Sequence, residues 1–132
     1  MNAEANEVKT ATAQLVEDPA KGLTWDARET LRLTFEQAEA HVAKMNAEKY
    51  GGFDNWRLPT YHELTGLVDV TRHSPAIDTE KFPNCESDWY WTGTPAAASP
   101  AGYAWVVSFG SGDALWGRRD SRAFVRAVRP SQ

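Results

Sequence analysis

A chain of 132 residues with 42% hydrophobic and 24% charged residues, one cysteine and a formal charge of −4 has the makeup of one soluble globular domain. Those totals exclude an internal disulfide, no apolar run approaches the length of a transmembrane helix, and an acidic chain is a poor candidate for a nucleic-acid partner. The charge is uneven: between Trp116 and Arg129 five arginines (Arg118, Arg119, Arg122, Arg126, Arg129) face one acid, Asp120, so the segment carries +4 and the rest of the −4 chain −8. Two readings stay open: a dipolar surface that steers an acidic partner, or arginines that pair with acids elsewhere in the fold.

In chain order, residues 1–13 are polar and alanine-rich and read as a flexible tail, leaving a single domain over 14–132. The opening "MNAEANEVKTATAQLVED" has no apolar h-region, which predicts a cytoplasmic protein, or an extracellular one if a leader has been removed. Leu15-Val16 and Leu23 with Trp25 flank a Pro-Gly turn and predict two short strands. Thr34 with Gln37 forms a capping box before a helix over 34–46, whose stripe is Phe35, Ala38, Val42 and Met45. Thr60 with Glu63 repeats the device for a second helix, with Leu64, Leu67 and Val68 inward, ending before Pro75. A long irregular stretch follows, anchored by Ile77 and Phe82. Four strands are predicted after it: 89–94, 103–110, 114–119 and 123–129, with "GSGD" (110–113) as a hairpin turn. Tyr103, Trp105, Val107 and Phe109 alternate to one face. In the last strand Arg126 shares a face with Phe124 and Val128. The class is α+β, two helices on an irregular antiparallel sheet.

Between the helices lies "GGFDNWRLPTYHEL" (51–64), which reads as a joint. Gly51-Gly52 allow positive φ, Asp54-Asn55 make a turn, and Pro59 holds Leu58 extended ahead of the Thr60 cap. Trp56, Arg57, Pro59, Thr60 and Glu63 are its structural residues, with Arg57 and Glu63 placed to form a partly buried ion pair.

"KGLTW", "GGFDNWRLPTYHEL", "SPAIDTEKFPN", "WYWTGTP", "YAWVVSFGSGD" and the terminal "FVRAVR" together resemble the Lcl C-terminal domain family, also called DUF1566, from about Val16 to Arg129. That family is similar in turn to formylglycine-generating enzymes (sulfatase-modifying factor domains), and the resemblance implies a C-type lectin-like fold whose first and last strands lie close together. For a formylglycine-type enzyme it implies a copper-holding cysteine pair. Here only Cys85 is present, and Ala127 stands where many relatives carry cysteine. An iron-dependent group uses a histidine cluster, whereas His41, His62 and His73 are scattered. His62-Glu63 lacks the second histidine of a zincin. Lectins of this fold hold calcium through tripeptides absent here. Asn84, Glu86 and Asp88 offer alternate oxygen ligands, or simply a solvated acidic loop.

No cofactor or metal is therefore expected, and no catalysis. The expected function is recognition of a protein partner through the loops 94–103 and 110–124, using Trp116, Arg118, Arg119 and Arg122 with Tyr103 and Asp113. A phage- or host-derived inhibitor or adaptor is the concrete form. The alternative is an adhesin-type domain whose arginines hold an acidic or sulfated glycan, and a formylglycine-type enzyme comes third. The segment 105–126 is where sequence diversification of a receptor-binding domain would fall. Nothing in the sequence sets the oligomeric state.

Overall fold

The structure, a computed structural model, describes residues 14–96 and 102–131. The tail over 1–13 and the middle of the loop 94–103 fall outside them. Among the described residues, two three-stranded antiparallel sheets and two α-helices make up the α+β fold.

In the first sheet, β1 (Leu15–Asp18) and β2 (Leu23–Asp26) form a hairpin whose Gly22 takes φ 67°, a conformation that suits glycine. Strand β2 also pairs with β6 (Val128–Pro130), so the first and last described strands share one sheet. All four residues of β2 are buried, as expected of a central strand covered on both faces.

Helix α1 spans Phe35–Ala47. The Thr34 hydroxyl accepts from the Gln37 N–H, and the Gln37 side chain accepts from the Thr34 N–H, which satisfies two of the helix's orphan donors. Phe35, Ala38, Val42 and Met45 are its buried stripe. A 3-10 turn, Tyr50–Gly52, follows with Gly51 and Gly52 at positive φ. Helix α2 is only Tyr61–Thr65, much shorter than the expected run toward Pro75. Beyond Thr65 the backbone tightens to i→i+3 bonds (Leu67 N–H to Leu64 O, Val68 N–H to Thr65 O). The Thr65 hydroxyl donates back to the Tyr61 carbonyl, competing with helix continuation at Gly66. Leu67 and Val68 still pack against the core from this turn.

The joint is tightly bonded. Trp56 is buried, its backbone N–H and C=O both bonded to the Asn46 side chain at 2.7 and 3.0 Å, and its indole N–H donates to Tyr50 O. Arg57 exchanges backbone bonds with Val128 while its guanidinium grips Glu63 in bidentate fashion at 2.7 and 2.9 Å. Its guanidinium beside Glu63 holds that carboxyl below the usual range. A depressed folded pKa means the stabilisation is present above the unfolded value of about 4.3 and lost as pH falls through the folded one. Glu63→Gln keeps the capping box and removes only the ion pair. Because the Arg57 side chain is 40% exposed, screening limits the loss to about 1 kcal/mol near neutral pH. Urea titrations should show that difference shrinking below about pH 4 as wild type loses the same charge.

The second sheet has the order β3 (Trp89–Pro95), β4 (Tyr103–Ser108), β5 (Ala114–Arg118), with β5 at an edge. Val107 and Phe109 enter the main core, whereas Ala104 and Val106 pack on the opposite face against Phe35 of α1, so β4 is covered on both sides. The expected strand over 123–129 is instead a threaded segment. Ala123 bridges Leu33, Phe124 bonds to Trp89 and Trp91, Ala127 O accepts from Asp26, and only Val128–Pro130 is regular strand. The segment changes partner every residue or two because it passes between the two sheets and ties them together. Its side chains serve three clusters: Phe124 and Val128 one, Val125 a second, Ala127 a third.

Candidate binding surface

The five C-terminal arginines divide sharply. Arg126 has no exposed side-chain surface: it pairs with Glu29, donates to the carbonyls of Asp26 and Arg28 at 3.0 Å, and lies over the rings of Phe82 and Tyr90. Arg129 is buried over the Phe53 ring, its Nε donating to Asn55 at 2.7 Å. Both arginines are internal, so the surface charge contrast is smaller than the sequence total suggests. Arg119 folds over Phe35 at 4.4 Å, toward Glu36 and Glu39 of α1. Arg118 is exposed and forked onto Asp120, and Arg122 is exposed.

Strand β5 carries the exposed apolar residues of this end. Leu115 is 44% and Trp116 46% exposed, and they project to opposite faces because they are consecutive in a strand. On the Leu115 face lies a groove of about 220 Å³ lined by Trp89, Trp91, Val106, Leu115 and Gly117, with Arg118 and Arg122 at its rim. Gly117 forms part of that hollow, since a Cβ there would stand 3.1 Å from Val106 and 3.5 Å from Trp91. On the other face Trp116 meets Trp105 edge-on at 5.8 Å, Trp105 meets Tyr61 at 5.1 Å, and Tyr61 meets His62 at 5.2 Å. Four rings thus form a row from α2 across β4 to β5.

Of the residues singled out from sequence, the structure gathers Trp116, Arg118 and Arg122 at the β5 edge, with the two arginines beside the groove and the Trp116 ring on the opposite face. Tyr103 pairs across the ladder with Arg118, half-buried. Arg119 turns away to α1, and Asp113 sits exposed at the far, hairpin end of β5. Tyr61, Trp89, Trp91, Trp105 and Leu115 were not singled out, yet they shape both faces.

The other candidate chemistries are dispersed. Cys85 is buried, its thiol against Tyr90 Oη at 3.4 Å, and burial pushes its pKa up, so thiolate is scarce. His41 is half-buried and held below its usual pKa by burial and then by Arg28, while His62 and His73 are exposed on other elements. Asp88 accepts from the Arg32 guanidinium and from its neighbour's N–H. Among the described residues no group of three or more His, Cys, Asp or Glu is gathered as metal ligands, and no helix is long and apolar enough to cross a membrane.

The molecule is thus an α+β domain in which one sheet holds the first and last described strands and an RLPT joint leads to a second sheet with an exposed aromatic and basic edge. It belongs to the Lcl C-terminal domain family, whose model matches residues 14–129. Comparison with curated proteins returned no match.

Proposed function

We propose that this is a non-enzymatic recognition domain, C-type lectin-like in architecture, which binds a protein partner through the edge formed by β5 and the turn after it. An inhibitor or adaptor is the concrete form. The observation that carries the reading is the pair Leu115 and Trp116, large apolar side chains left nearly half exposed on either face of an edge strand, beside an apolar groove with an arginine rim. Aromatic residues and arginine around a dry pocket are the usual makeup of an interface hot spot. The first and last described strands flanking β2 in one sheet support the architecture.

A tagged wild-type chain should capture its partner from the native cell, and Trp116→Ala should lose it, with affinity falling about 30-fold for a hot spot of about 2 kcal/mol. Equal capture by both proteins would mean that the contact lies on another face.

The row Tyr61–Trp105–Trp116 favours one second reading, a surface for an acidic glycan, with rings for stacking and Arg118 and Arg122 for charged groups. Heparin retention lost in Arg118→Ala/Arg122→Ala but indifferent to cell-derived protein would select it.

A further inference from the structure

We propose that β5 pairs antiparallel with β5 of a second copy of this chain, registered on Trp116, so that the protein partner of this edge is the chain itself; this rests on the reading of β5 as a contact surface. The backbone supplies the first argument. Ser108 N–H donates to Asp113 O and Arg119 N–H to Gly102 O, so the odd-numbered residues of this segment face β4. By the alternation of an antiparallel ladder, Ala114, Trp116 and Arg118 direct their N–H and C=O groups outward. Among the described residues Ala114 and Trp116 have no partner for these groups, and the Arg118 carbonyl accepts only the turn N–H of Ser121. An edge of this kind is a template for another strand, and this one lacks the proline and lysine that usually blunt such edges.

Register supplies the second. A two-fold pairing centred on Trp116 sets Ala114 opposite Arg118 of the other copy, Leu115 opposite Gly117, and Asp113 opposite Arg119. Leu115 is the exposed knob, and Gly117 lies in the 220 Å³ groove, so each copy presents a leucine to the other's hollow. Asp113 is exposed, and no described residue pairs with its carboxylate. In this register it meets the basic end of the facing strand. No like charges face each other. On the opposite face the two Trp116 rings meet at the axis and join the two aromatic rows into one. A shift of one residue would turn Leu115 to the wrong face and lose every one of these pairings.

The test is sedimentation and light scattering of the full chain from about 1 µM to about 200 µM. A concentration-dependent dimer is expected, with the Trp116 and Ala114 amides becoming protected from hydrogen exchange as it forms. Leu115→Glu and Asp113→Arg lie on the exposed edge, and circular dichroism checks their fold. Each should weaken the dimer at least about tenfold. Added salt should loosen the wild-type dimer and tighten that of Asp113→Arg, whose repulsion with the basic end of the facing strand it screens. A chain monomeric throughout, or a dimer indifferent to both substitutions, overturns the proposal. If the monomeric chain still captures another protein in a Trp116-dependent way, the recognition reading stands and only the self-pairing fails. If no binding of any kind depends on Trp116, both fail together.

Discussion

Replacing Arg126 with methionine destabilises the domain by about 3–5 kcal/mol and lowers its thermal midpoint by roughly 10–20 °C, measurable by urea and thermal unfolding. The guanidinium is fully buried, and it is the hub of a network rather than one half of a pair. It holds Glu29, caps the carbonyls of Asp26 and Arg28, and stacks against Phe82 and Tyr90. Glu29 in turn accepts from the Tyr90 hydroxyl at 2.6 Å, and that hydroxyl accepts from the Glu86 N–H at 2.9 Å. Methionine fills much of the volume but leaves a carboxylate that is largely buried and two carbonyls without their donor, which is the expensive outcome. Arg126→Met/Glu29→Leu removes the orphaned charge and should recover part of the loss. The carbonyls stay uncapped, so recovery is incomplete. If Arg126→Met alone unfolds at the wild-type midpoint, the network is not what joins the segment 26–29 to the loop 82–90.

That network marks the boundary of what the sequence discloses. Periodicity places Arg126 on the face of Phe124 and Val128, because a period of two needs only neighbours along the chain. Its partner Glu29 lies 97 residues away in a stretch without periodicity, and no local signal names it. The same contrast runs through the fold. Both capping boxes are readable because their donors and acceptors lie three residues apart. The end of α2 is not, because the Thr65 back-bond and the Gly66 turn outweigh a stripe that continues through Leu67 and Val68. The irregularity of 123–127 follows from contacts with three different parts of the chain, which only the assembled fold supplies.

The candidate surface was half legible. The exposed tryptophan and arginines of 116–122 stand out by type, but composition cannot tell a surface arginine from a buried one, and two of the five proved internal. The Trp105–Trp116 contact was within reach of counting: a turn that pairs Ser108 with Asp113 also pairs residue 105 with 116. The groove was not, since Trp89, Trp91 and Val106 come from two other strands and become its wall only when the sheet packs on α1.

Trp91→Ala should cost about 3–5 kcal/mol, read as the shift of the urea midpoint at unchanged slope. Trp91 is 1% exposed, meets Phe35 edge-on at 5.4 Å and closes the inner wall of the groove. The loss is mainly a cavity. Its indole N–H donates to Leu33 O, but that carbonyl keeps the Ala123 N–H as a second donor and is not orphaned. Trp116→Ala is the informative counterpart. That ring is nearly half exposed and meets Trp105 edge-on, so stability should change by less than about 1 kcal/mol. Two tryptophans on opposite faces of the same sheet should therefore separate completely: Trp91 in folding energy, Trp116 in binding. A Trp116→Ala protein as destabilised as Trp91→Ala would mean that Trp116 belongs to the scaffold, and lost binding in that variant could no longer be assigned to the surface. If Trp91→Ala proves harmless, the groove wall is not a packed core, and the groove is too soft to present a fixed shape to any partner.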